Sequence, residues 1–142
     1  MPVQVTPGMV QFFKNKTFAV VGASTDRSKF GNRILRWYID HDESVIPINP
    51  KTSVIEDVPA LKSLSELSDP TTVSVSVITP PPVTKQVLQE AISLGIKNVW
   101  LQPGSESEEA VEYGVSHGLN VVVGNHACVL VHGEEAARRA RL

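Results

Sequence analysis

The pattern that most limits the fold is an alternation. Short apolar runs rich in β-branched residues are followed by segments whose apolar residues recur at helical spacing, with turn residues between them. Thr17 to Val21 is such a run and stops at Gly22; Ile34, Leu35, Tyr38 and Ile39 then sit at helical spacing. Ser44 to Ile48 is a second run, closed by Asn49-Pro50. Residues 53–69 read as irregular, with a short helix around 63–67. Val73 to Ile78 forms the third strand, ended by Thr79-Pro80-Pro81-Pro82. A helix over 83–94 buries Val87, Leu88, Ala91 and Ile92, and Gly95 caps it. Asn98 to Leu101 is the fourth strand. Ser105 or Ser107 then caps an acidic helix start that runs to His117. Leu119 to Val123 is the fifth strand, and Glu134 to Arg141 a terminal helix. Met1 to Phe13 reads as a small helix laid on the domain.

Buried strands alternating with helices call for a parallel sheet covered on both faces. Right-handed crossovers make it doubly wound. The expected fold class is α/β: a three-layer α/β/α, Rossmann-like sheet of about five parallel strands. At 142 residues the chain is one domain, with 1–15 as an N-terminal extension and 132–142 as a tail. Thirteen Lys and Arg against fifteen Asp and Glu argue against a nucleic-acid partner. A single cysteine excludes an internal disulfide and a multi-cysteine zinc site. No apolar run approaches the ~20 residues of a membrane span. Met1 to Lys16 shows no secretory pattern and no arginine, so a soluble protein of a reducing compartment is expected.

In such a sheet, ligands bind beyond the C-terminal ends of the strands. The first turn there is Gly22-Ala23-Ser24-Thr25-Asp26, leading through Lys29, Phe30 and Gly31 into a helix. Small residues let backbone N–H groups approach an anion, the helix N-terminus favours negative charge, and Arg27 or Lys29 adds a cation. The spacing matches neither a full G-x-G-x-x-G nor a Walker loop, and a tight βα turn that needs glycine sterically explains it equally well. The second turn, Asn49-Pro50-Lys51, lacks the acid that holds the ribose of NAD and carries a cation instead. That favours a ligand with an additional ribose phosphate, NADP or coenzyme A, although lysine in a turn is commonplace. The third turn, Thr79-Pro80-Pro81-Pro82-Val83, forms a rigid apolar wall or a simple strand stop.

The segments Val20 to Ser24 with Phe30-Gly31-Asn32, Val45 to Lys51, Thr79-Pro80-Pro81, Gly95 to Gly104, Gly118-Leu119 and Cys128 together resemble the stand-alone CoA-binding domain family. That family is similar to the N-terminal domain of the succinyl-CoA synthetase alpha subunit. The resemblance covers about Lys16 to Val131. It implies that Gly22, Ala23 and Ser24 take the pyrophosphate of coenzyme A or an acyl-CoA. It implies further that Asn49, Pro50 and Lys51 border the adenosine phosphate end. Thr79, Pro80, Pro81 and Val83 would line the pantetheine path, and Gln102 would close the pocket. None of the four histidines maps onto the synthetase's phosphorylated one, so the resemblance implies a ligand and no reaction.

Rival readings stay open. An NADP-type oxidoreductase or sensor would use the same turns, and an accessory protein would use the fold only for partner contacts. His126, Cys128 and His132 offer at most three metal ligands, with Asn125 a poor fourth, or a Cys–His nucleophile pair. A buried thiol beside surface histidines is the simpler account. Cys128 would form a mixed disulfide with the CoA thiol if the two met. Trp37 and Trp100 read as core, and Glu106, Glu108, Glu109 and Glu112 as a solvated helix start. Ala140-Arg141-Leu142 follows the small-basic-Leu pattern of a peroxisomal signal, which would make an import receptor a partner; the alternative is a cytoplasmic location.

Overall fold

Thr17, Ser44 and Val73 start three strands that run side by side in one direction and end level, Val21 facing Ile48 on one side and Val77 on the other. This is the centre of a five-stranded parallel sheet in a computed structural model that describes residues 4–124 and 126–142. The elements are α1 (Pro7–Phe12), β1 (Thr17–Val21), α2 (Phe30–Asp40), β2 (Ser44–Ile48), β3 (Val54–Ile55), β4 (Val58–Pro59), β5 (Val73–Val77), α3 (Pro81–Ser93), β6 (Asn98–Leu101), α4 (Glu108–Ser116), β7 (Asn120–Val122) and α5 (Val129–Ala140). Strand order is β2-β1-β5-β6-β7, and every pairing in this sheet is parallel. The chain winds outward from β1 to β2, then returns to the other side of β1 as β5. The topological switch point therefore lies between β1 and β5, where open α/β sheets bind ligands.

Side-chain alternation divides the core in two. Phe18, Val20 and Trp100 join Phe12, Phe13, Trp37 and Tyr38 of the neighbouring helices in one cluster. Ala19, Val75, Val77, Val99 and Leu101 meet Val87, Leu88, Ala91 and Ala110 in the other. The face carrying α1, α2 and α5 is thus aromatic, and the α3–α4 face aliphatic. Ser74 and Ser76 point into the aromatic face, fully buried. Ser74 Oγ donates to the Phe12 carbonyl at 2.7 Å, and Ser76 Oγ lies 2.7 Å from the Tyr38 hydroxyl. Burial pushes that phenol above its ordinary range.

The five expected strands are present, each within a residue or so of its expected bounds. Three features differ. The short helix expected around 63–67 is present as a 3₁₀ turn at Leu64–Glu66, but the rest of residues 53–69, expected to be irregular, contains the antiparallel β3–β4 hairpin. Its tip residues, Glu56 and Asp57, have φ of 50° and 61°, a conformation sequence periodicity does not report. Helix α3 begins at Pro81, inside the expected loop, because proline fits a first helical turn. Helix α5 begins at Val129, five residues early, because Val129, Gly133, Ala136 and Ala137 bury a stripe with little large apolar content.

Candidate functional site

Gly22 leaves β1 with φ of +98°, and the position a Cβ would take lies 2.7 Å from the Ile78 carbonyl oxygen beyond β5. Only glycine lets the first turn pass this close to the third. Gly31, in the first turn of α2, is tighter: a Cβ there would stand 2.0 Å from the Gly22 carbonyl oxygen. Expected as part of the anion cradle, Gly31 is buried and brings the helix onto the turn.

Two asparagines shape what the turn presents. Asn49 Nδ2 donates to the Ala23 carbonyl at 3.0 Å, and the fully buried Asn32 donates through Nδ2 to the Ser24 carbonyl at 2.8 Å. Both carbonyls are thereby drawn toward the protein. Among the described residues, the N–H groups of Ala23, Ser24 and Thr25 donate to no protein acceptor. The N-cap of α2, Lys29, makes no side-chain capping bond, so the first N–H groups of an eleven-residue helix end at the same turn. Three neighbouring free donors and a helix N-terminus can hold an anion. The sequence alone does not single out Asn32 as a site residue. Its signal was its place in the first turn of a helix directly after a glycine turn.

The second turn is locked to the first. Asn49 Oδ1 accepts from the N–H groups of Lys51 at 2.8 Å and Thr52 at 3.1 Å, folding residues 49–52 into a tight turn. Pro50 and Lys51 are exposed on it. At the third turn, Pro80 and Pro81 are exposed, Val83 is 40% exposed, and Thr79 Oγ1 lies 2.8 Å from Thr84 Oγ1. The buried Thr84 donates to the Ser105 carbonyl at 2.7 Å, tying the β5 exit to the β6 exit. The structure thus brings Gly22, Ala23, Ser24, Asn49 and Thr79 together at the exits of β1, β2 and β5, with Lys29, Phe30, Pro50, Lys51, Pro80, Pro81 and Val83 on or beside the same three turns.

Gln102 and Cys128 lie elsewhere. Gln102, expected to close the pocket, is fully buried; its Nε2 donates to Ser76 Oγ at 3.3 Å and its Oε1 accepts from the Val129 N–H at 3.0 Å. Its amide is spent on seating α5 against the sheet, because a buried amide must find partners. Cys128 is buried in the aromatic cluster, and burial pushes its thiol up, away from the thiolate a nucleophile needs. His132 Nδ1 lies 3.2 Å from the Cys128 N–H and 3.1 Å from its carbonyl oxygen, so the ring engages backbone. His126 is exposed with φ of 58°. No group of three or more metal-ligating side chains occurs among the described residues, and Asn125 lies outside them. Trp37 and Trp100 are core, as expected. Of the terminal tripeptide, Leu142 is 92% exposed, while Arg141 is paired with Glu43 at 2.7 and 2.9 Å. No helix among the described residues is long and apolar enough to cross a membrane.

An open five-stranded parallel sheet with helices on both faces defines a doubly wound, Rossmann-like α/β domain. The chain belongs to the CoA binding domain family, which it matches over residues 16–134. It is 26% identical over 122 residues to the alpha subunit of acetate–CoA ligase [ADP-forming] II from Pyrococcus furiosus, a match covering 78% of this chain and 26% of that protein. An acetate–CoA ligase [ADP-forming] from Methanocaldococcus jannaschii is 31% identical over 93 residues, covering 66% of this chain and 13% of that protein. The chain thus spans about a quarter or less of the curated relatives it matches. Among solved structures, a conserved hypothetical protein from Pyrococcus furiosus superposes with a TM-score of 0.74 at 34% identity, over 82% of this chain and 97% of the other. A Thermus thermophilus protein superposes with a TM-score of 0.77 at 28% identity, over 89% and 94%.

Proposed function

We propose that this chain binds coenzyme A or an acyl-CoA at the switch point between the exits of β1 and β5. The observation that carries the reading is the first turn: free N–H groups on Ala23, Ser24 and Thr25, with the carbonyls of Ala23 and Ser24 drawn away by Asn49 and Asn32. Such a turn suits a pyrophosphate. Lys51, exposed beside it, suits the additional ribose phosphate that distinguishes coenzyme A from NAD. Thr79, Pro80, Pro81 and Val83 offer an apolar path for the pantetheine arm. Membership of the CoA binding domain family supports the same ligand. When bound, the ligand would bring a thiol or thioester; the chain's own residues hold its phosphates and orient its arm.

Thermal unfolding with coenzyme A, acetyl-CoA, NAD, NADP and ATP tests the reading. A ligand at one hundred times its dissociation constant adds ~2.7 kcal/mol, several degrees for a domain of this size. A shift with coenzyme A or acetyl-CoA is expected, and Lys51→Glu should reduce it. A shift with NADP alone would assign the turn to a dinucleotide. No shift with any would leave the fold to partner contacts. Peroxisomal targeting is a separate proposal: a receptor reading Ala140-Arg141-Leu142 would have to break the Arg141–Glu43 pair, and imaging fluorescent fusions with and without 140–142 checks it.

A further inference from the structure

The end of β2 offers no acid to the first turn, but the β3–β4 hairpin delivers one. Glu56 and Asp57 turn the chain back with left-handed backbone at both positions, and Glu56 reaches across to α2. Its Oε2 accepts from Asn32 Nδ2 at 3.2 Å, the same amide nitrogen that donates to the Ser24 carbonyl. Its Oε1 lies 3.5 Å from Arg27 Nε, and the carboxylate is well sheltered, 22% exposed against 65% for the arginine. The Arg27 carbonyl in turn accepts from Arg36 Nη2 at 3.0 Å, and Arg36 Nε donates to Asn32 Oδ1 at 2.7 Å. A negative group is therefore already stationed beside the peptide that would meet a phosphate, and it engages the arginine of that turn.

We propose that Glu56 is the resident counter-anion of the first turn: it holds Arg27 in the free protein, and a phosphate-bearing ligand displaces it and takes the arginine over. The inference rests on the reading that this turn binds coenzyme A. It makes Glu56 a specificity residue. A ligand must carry enough negative charge to compete with a carboxylate already paired, so a pyrophosphate succeeds where a neutral group does not. The contested arginine is largely exposed, so the effect is moderate and screened by salt.

The test is a double-mutant cycle read by calorimetric titration of coenzyme A into the full chain. Glu56→Gln keeps the shape and an oxygen for Asn32 but removes the charge; Arg27→Gln removes the contested cation. Unfolding of each ligand-free variant checks that it is folded. Glu56→Gln should bind coenzyme A about threefold to fivefold tighter at low salt. Arg27→Gln should bind more weakly, and in its background Glu56→Gln should bring no gain. If the wild-type chain binds and Glu56→Gln binds no tighter, or keeps its gain without Arg27, the counter-anion role is overturned while the binding reading stands. Binding by Glu56→Gln alone would uphold both. No binding by either would overturn both.

Discussion

The rim of the sheet has two halves built to different rules. At the exits of β1, β2 and β5 the backbone is in contact with itself: the Cβ positions of Gly22 and Gly31 fall 2.7 and 2.0 Å from carbonyl oxygens, and asparagine amides stitch one turn to the next. At the exits of β6 and β7, Gly104 and Gly124 have φ of +97° and +86°, yet among the described residues, chain neighbours aside, nothing lies within 4 Å of where a Cβ would be. A cleft of about 340 Å³ opens there, lined by Pro103, Glu106, Gly124 and His126. Glycine serves contact in the first half and only conformation in the second. In the locked half these contacts fix the course of the turn that carries the N–H groups of Ala23, Ser24 and Thr25.

Substitutions can break this contrast, starting where contact is closest. Gly31→Ala meets backbone that cannot yield and should cost about 3 kcal/mol or more, lowering the unfolding midpoint by roughly 10 °C. Gly22→Ala combines a 2.7 Å clash with left-handed backbone and should cost about 2–4 kcal/mol, with coenzyme A binding lost even where the protein folds; chemical denaturation and calorimetry check the two effects. Asn49→Ala removes three hydrogen bonds that join two turns and should cost about 1–3 kcal/mol. Gly104→Ala bears only the conformational penalty, about 1 kcal/mol, and denaturant midpoints should separate it cleanly from Gly31→Ala. Lys51→Glu sharpens the contrast by function: its effect on stability should stay within about 0.5 kcal/mol, while affinity for coenzyme A falls. A Gly104→Ala protein as damaged as Gly31→Ala would end the distinction between the halves.

Much of the locked half was readable in the sequence. Gly22 followed a β-branched run, which placed the first turn, and Asn49-Pro50 and the proline triplet closed the second and third strands. The roles within the turns were less readable. Asn49 reads as a residue facing ligand, yet its side chain is spent on the Ala23 carbonyl and its own turn. Gln102 reads as pocket because it follows a strand, yet it lies beneath the rim, bonded to Ser76 and to the start of α5. Sequence position says which end of a strand a residue occupies, but not whether its amide faces water or a neighbouring element.

The five strands, the helices that cover them and the glycine turn after the first strand are encoded locally. Those features follow from local physics: β-branched runs favour strands, helical spacing makes amphipathic helices, and glycine alone accepts the backbone the turn requires. What the polar residues do depends on packing between distant segments. Ser74 and Ser76 alternate with valine as though facing solvent, but helices cover both sides of β5 and turn the hydroxyls into internal anchors. Glu56 is 29 residues from Arg27 in the chain, and only the hairpin brings its carboxylate beside that arginine. Hydrogen-bond partners and charge neighbours are properties of packing between distant segments, and no local pattern encodes them.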